Sequence, residues 1–393
     1  IRLYSHNRIT GIKSNKYLFY SSNKIFVMNV VSKKILFNEA FTLGSGELLP
    51  GFELMTETYG ELNQEKSNAV LVCHAFSGNH HAAGIKEENA KPGWWDELIG
   101  DGKTIDTEKY FVVSLNNIGG CHGSTGPASI SSKTEQAFGA SFPEISVGDW
   151  VETQKLLADH LEIDCWEMVA GGSLGGMQAL QWAISYPDKV KKAAIIAASS
   201  KISTQNIALN EVAREIIKKD ECFHNGDYLS HGETPSKGLK AARMLGHITY
   251  LSESNMSKRF GRKLQDPLTK MDADINYEVE NYLQYKGEQF AKTFDANSYI
   301  LMTKAMDSFD PAKNFDHDLV KCLKSIQAKL LIASFDSDWL FPKEYGLDIQ
   351  MSAIKAGIDS TYIELNGEYG HDSFLFYSDD YSVALKNFLN SNG

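Results

Sequence analysis

Short apolar runs alternate along this chain with longer stretches in which apolar positions recur every three or four residues. The runs 68–76 (NAVLVCHAF) and 110–117 (YFVVSLNN) are β-branched or aromatic and lead into Gly, Ser or Asn turns, which predicts buried strands. The segment 150–161 (WVETQKLLADHL) spaces Trp150, Val151, Leu156, Leu157 and Leu161 as an amphipathic helix allows. A strand is predicted over 166–173 and a helix over 174–187, where Pro187 stops it. Runs at 190–199, 328–335 and 360–365 complete the strand set. Strands and helices alternating in this order predict βαβ units around a mostly parallel sheet, an α/β fold. Between about 201 and 322 the β-rich runs almost vanish and helix formers take over, with Met, Tyr, Lys and Glu frequent. Strands resume afterwards, so the pattern predicts a core in two parts, 28–200 and 323–393, interrupted by a helical insertion over 201–322.

Composition narrows the partners. With 393 residues and 42% hydrophobic content the chain can bury a large core. Its net charge of −11 comes from scattered Asp and Glu, which argues against nucleic acid or an anionic membrane and favours a small-molecule substrate. No run approaches the roughly 18 apolar residues of a membrane span. Five cysteines at irregular spacing suggest neither a disulfide framework nor a metal site, so a reduced cytoplasm is expected. Residues 1–27 hold five basic residues and no acid, without an apolar run or a cleavage site; Met28 is expected to open the native sequence, with 1–27 a non-native or weakly ordered extension.

The chemistry centres on Gly171-Gly172-Ser173-Leu174-Gly175, a G-x-S-x-G motif between a predicted strand and a predicted helix. A nucleophile on so sharp a turn needs neighbours without Cβ atoms two positions away on each side, and the helix N-terminus then favours a developing oxyanion. A serine nucleophile needs a base and an orienting carboxylate, which in this arrangement follow in the order acid, then His. Asp336 and Asp338 follow the strand 328–335, and His371 follows the strand 360–365. An oxyanion hole needs two backbone donors: Leu174, directly after the serine, and Phe76 in the loop CHAFSG (73–78). His80 and His81 lack partners for a metal site and are expected to shape that loop.

With these residues in place, the chain resembles the homoserine O-acetyltransferase family of α/β-hydrolase-fold acyltransferases. The resemblance runs from about 36 to 390 and rests on LVCHAFSGNHHAAG, KPGWWDELIG, NNIGGCHGSTGPASI, AGGSLGGMQALQWA, ARMLGHITYLSE, FDANSYI, SDWLFP and YGHDSFL. It implies an α/β-hydrolase fold with an inserted helical lid and a ping-pong reaction, in which Ser173 takes an acetyl group from acetyl-CoA and passes it to L-homoserine, with no bound cofactor. It selects Asp338 as the acid, and it places Arg243 on the substrate carboxylate, Asp372 on its ammonium and Tyr250 on the pocket wall. Relatives that resemble this chain but use succinyl-CoA tend to carry Arg two residues after the catalytic Asp; here that position is Leu340, which favours acetyl-CoA because a succinyl carboxylate would be desolvated without a partner. The family also implies a homodimer joined through the insertion and a cytoplasmic role in methionine biosynthesis.

Four other readings compete: a succinyltransferase, a serine O-acyltransferase, a carboxylic-ester hydrolase using the same triad, and a binding protein that has kept the fold. Serine differs from homoserine by one methylene, worth only about 1–3 kcal/mol of discrimination. A binding protein has no need of Ser173, Asp338 and His371 together.

Overall fold

A computed structural model describes residues 13–21, 24–86, 90–265 and 277–392. Nine strands form the main sheet: β1 (Lys13–Ser21), β2 (Lys24–Phe37), β3 (Phe52–Tyr59), β4 (Ala69–Cys73), β5 (Phe111–Leu115), β6 (Met168–Gly172), β7 (Lys192–Ile196), β8 (Lys329–Phe335) and β9 (Ser360–Leu365). Their spatial order is β1-β2-β3-β5-β4-β6-β7-β8-β9. The first three are joined antiparallel to one another and to β5, and every later pair is parallel. This is an α/β-hydrolase fold with a mostly parallel sheet and inserted helices, as expected.

Every residue of β4, β6 and β7 is buried, because helices cover both faces and a parallel strand between them has no solvent side. One face packs on α1 (Val147–His160) and α2 (Leu174–Ser185) through Trp150, Leu157, Met177 and Trp182. The other holds Trp95, Ile99, Tyr381 and Leu385. Helix α1 begins three residues before the predicted start, where Ser146 and Asp149 form a reciprocal capping box.

Patterning predicted no strand before residue 68, and the antiparallel edge β1–β3 is therefore new. β3 alternates buried and half-buried positions from Phe52 to Thr56, where Glu57 breaks the alternation, and it carries Glu53, Thr56, Glu57 and Thr58, so it lacks the continuous apolar run that marks the central strands. Met28 lies inside β2, opposite Tyr17 of β1, so the expected boundary at 27/28 meets no break in the sheet; residues 1–12 lie outside the described residues.

Between β7 and β8 the chain forms α3 (Thr204–Lys218), α4 (Ser236–Tyr250), α5 (Glu253–Arg259), α6 (Glu278–Ala291), α7 (Ala296–Asp307) and α8 (Leu319–Leu323). Ser203, Ser252 and Asp295 cap α3, α5 and α7, each accepting a backbone N–H three residues on. The expected end of the insertion at 322 falls within α8. No helix among the described residues is long and apolar enough to cross a membrane.

Candidate active site

Strand β6 ends at Gly172 and α2 starts at Leu174, leaving Ser173 alone on the turn with φ 57° and ψ −124°. A non-glycine residue in this region stores on the order of 1–3 kcal/mol, tolerated only where the surroundings enforce it. The enforcement comes from close packing. A Cβ on Gly171 would lie 2.4 Å from the carbonyl carbon of Gly175, and one on Gly175 would lie 2.1 Å from the carbonyl oxygen of Cys73. The glycines therefore let β6, α2 and the end of β4 approach to backbone contact, and the serine is pushed proud of the turn.

Ser173 Oγ lies 2.8 Å from His371 Nε2, and His371 Nδ1 lies 2.7 Å from Asp338 Oδ2. All three residues are buried. The second oxygen of Asp338 accepts the backbone N–H groups of Leu340 (3.0 Å) and Phe341 (2.8 Å), so the carboxylate is held by its own loop. Asp336, the other carboxylate left open by spacing, is exposed and accepts from Gly367 N–H at 2.7 Å, away from the imidazole. The Phe341 ring stacks on His371 with centroids 4.9 Å apart. Sequence reasoning missed this contact, because an aromatic residue after a loop aspartate looks like any core residue.

The triad opens into a cavity of about 920 Å³, counting space open to solvent, lined by Phe76, Ser173, Arg243, Tyr250, Leu340, His371 and Asp372 among others. Leu174 is fully buried at the start of α2, where a backbone N–H has no partner within the helix. Among the described residues no acceptor is paired with the N–H of Phe76 or of Leu174. Thus every predicted site residue lies in or directly behind one cavity.

Arg243 and Tyr250 are seven residues apart on α4, two turns along one face. The Arg243 guanidinium stands 4.7 Å from the Phe290 ring centroid and 5.3 Å from that of Tyr250, with Nη1 buried and lacking a hydrogen-bond acceptor. A buried guanidinium nitrogen with nothing to bond to is costly in the empty site and suits an incoming carboxylate. Opposite in charge, Asp372 has its pKa raised by burial, against the lowering pull of His371, Arg243 and Lys286.

Elsewhere, His81 Nδ1 contacts the buried Glu57 carboxylate at 2.8 Å, and the Tyr59 hydroxyl both donates to Glu57 and accepts from Ala82 and Ala83. The paired histidines thus sit in a clamp on the loop after β4. Glu57 has no sequence signal, since an acid in an alternating strand reads as solvent-facing.

Known proteins resemble this chain in sequence and in fold. A model of the alpha/beta hydrolase fold family matches residues 68–376. A homoserine O-succinyltransferase of Neisseria gonorrhoeae is 50% identical over 92% of this chain and 96% of its own length. Among solved structures, homoserine O-acetyltransferase from Bacillus anthracis superposes with a TM-score of 0.85 at 29% identity over 92% of this chain and 98% of that one. Esterase E22 superposes with a TM-score of 0.84 at 30% identity over 92% and 100%.

Proposed function

On the premise that this chain belongs to the α/β-hydrolase-fold homoserine O-acyltransferases of methionine biosynthesis, we propose that it moves an acyl group from acyl-CoA to the side-chain hydroxyl of L-homoserine through an acyl-enzyme on Ser173. The observation that carries this reading is the Ser173–His371–Asp338 chain of contacts at 2.8 and 2.7 Å, facing a cavity that also presents an unpaired Arg243 nitrogen. His371 Nε2 takes the Ser173 proton as Oγ attacks the thioester carbonyl. The oxyanion forms beside the N–H groups of Phe76 and Leu174, at the positive end of α2. Collapse expels the CoA thiolate, which receives the proton from His371. Homoserine then enters with its carboxylate on Arg243 and its ammonium on Asp372, and Tyr250 walls the pocket. His371 deprotonates its hydroxyl, the homoserine oxygen attacks the acyl-serine carbonyl, and collapse releases the O-acyl product as His371 returns the proton to Ser173 Oγ. Asp338 keeps the proton of His371 on Nδ1 throughout.

The donor is where the expectation and the relatives part. Acetyl-CoA is favoured by one side chain, Leu340, and by the absence of any cation but Arg243 among the fully described residues lining the cavity. Succinyl-CoA is favoured by curated relatives that match along nearly the whole chain at about half identity and are named succinyltransferases. We give the whole-chain likeness the greater weight and take succinyl-CoA as the first reading, with acetyl-CoA second. A CoA-release assay crossing both donors with homoserine, serine and water tests this. Succinyl-CoA with homoserine is expected to give the highest kcat/KM; a preference for acetyl-CoA returns the donor to the Leu340 reading, and release as fast with water as with homoserine overturns the transferase reading.

A further inference from the structure

Beneath the elbow, four buried polar side chains that patterning left unassigned are wired together. Gln178 lies one turn into α2, Gln154 on α1, Asn117 in the loop after β5 and His74 directly after β4, and each is at most 1% exposed. Gln178 Nε2 donates to the carbonyls of His74 (3.2 Å) and Leu174 (3.1 Å). Gln178 Oε1 accepts from Asn117 Nδ2 (2.9 Å) and Gln154 Nε2 (2.7 Å). Gln154 Oε1 in turn accepts from Trp182 Nε1 at 2.7 Å. The His74 ring joins this web because its Nε2 accepts the backbone N–H of Asn117 at 3.2 Å. That bond leaves the ring proton on Nδ1, which donates to the carbonyl of Ala75 at 2.7 Å.

The last contact has a geometric consequence. The Ala75 carbonyl and the Phe76 N–H belong to one peptide group, and because that group is planar and trans, fixing the oxygen fixes the direction of the N–H. Gly78 N–H also donates to the Ala75 carbonyl, at 2.9 Å, closing the turn around Phe76. The other donor, Leu174 N–H, shares a peptide with the Ser173 carbonyl, which accepts from Gly176 and Met177 and so moves with α2. The two N–H groups are thus held by different elements, and Gln178 is the side chain on α2 that grips the loop carrying the first. A buried amide with all its partners in place has one geometry, since every rotation would strand a polar group in an apolar interior.

We propose that Gln178 is a positioning residue for the oxyanion hole: through His74 and Asn117 it ties the Ala75–Phe76 peptide to the nucleophile helix and so sets the spacing of the Phe76 and Leu174 N–H groups. The proposal rests on the assignment of those two amides as the hole. Misplacing one donor by a fraction of an ångström weakens stabilisation of the tetrahedral adduct while leaving the amino-acid pocket on α4 untouched. Removing one such donor outright typically costs about 100-fold to 1,000-fold in kcat, so a loosened one should cost about 10-fold to 100-fold.

The test is Gln178→Met, read by three measurements on the purified enzyme: kcat, KM for homoserine, and inhibition by phenylboronic acid, which forms a tetrahedral anionic adduct on the serine. The expected result is a kcat and a boronate affinity lowered together by about 10-fold to 100-fold, with KM for homoserine within about twofold of wild type. Gln154→Leu, which removes one donor to Gln178 Oε1 and leaves the bonds of Gln178 to the His74 and Leu174 carbonyls in place, should show the same separation at about threefold, and it carries the test if Gln178→Met does not fold. Unchanged boronate affinity in a folded variant, or losses in boronate affinity and homoserine KM of equal size, would overturn the tether. A wild-type enzyme that neither binds the boronate nor transfers acyl groups would instead remove the acyl-enzyme reading itself.

Discussion

At the scale of single residues, the site is built from groups that would be unfavourable alone and are mostly matched by one another. Ser173 occupies a strained backbone position that two glycines make possible, and Asp338 is buried with its oxygens divided between an imidazole and two amides. Arg243 is the group left unmatched, with Nη1 buried and unpaired. A lysine keeps its charge but loses the planar fork, so Arg243→Lys should surrender one charge-assisted hydrogen bond, worth about 1.5–3 kcal/mol. The expected outcome is a rise of about 10-fold to 100-fold in KM for homoserine with the rate of Ser173 acylation unchanged, measured by steady-state kinetics and by the pre-steady-state burst of CoA release. An equal fall in the burst rate would place Arg243 in the first half-reaction.

At the scale of elements, the helices between β7 and β8 bring Arg243 and Tyr250 to the cavity onto which Ser173 and His371 open. Helix α6 lies close on α4 at Gly287, where a Cβ would stand 2.7 Å from the carbonyl oxygen of Lys240. Lys240 is three residues before Arg243, and Phe290, three residues after Gly287, lies under its guanidinium. Gly287→Ala should therefore wedge the helices apart, costing about 1–3 kcal/mol of stability and raising KM for homoserine, as a melting curve and a substrate titration would detect. A variant that melts and binds as wild type does would show that the α4–α6 contact does not hold Arg243 in place. The same division explains what the sequence makes legible. β4, β6 and β7 are visible because burial on both faces requires an unbroken apolar run, and the elbow because its turn admits so few residue types. β3 is hidden because a half-exposed strand shares its polar positions with loops. Arg243 is hidden in another way, since its guanidinium packs on Phe290, forty-seven residues away in sequence, and no local pattern records that contact. Buried amides such as Gln178 look from sequence like the solvent face of a helix.

At the scale of the whole molecule, burial keeps several imidazoles neutral. His74 is pushed down to about 4, and His80 and His247 to about 3, in each case first by burial. Their ordinary value is 6.5, so below that pH the unfolded chain binds protons that the folded chain refuses. Stability from these groups is complete above about 6.5 and is lost as pH falls toward their folded values, at up to about 1.4 kcal/mol per pH unit for each imidazole. The melting temperature should accordingly fall between pH 7 and pH 5, above the range where ordinary carboxylates titrate; a flat profile there would mean that these rings are protonated in the fold. The central claim is that Ser173 carries the acyl group between two substrates. Intact-protein mass spectrometry after mixing with acyl-CoA in the absence of acceptor tests it most directly. A single adduct of succinyl or acetyl mass is expected, absent from Ser173→Ala and discharged by homoserine far faster than by water. No adduct, or one that persists in Ser173→Ala, would contradict it.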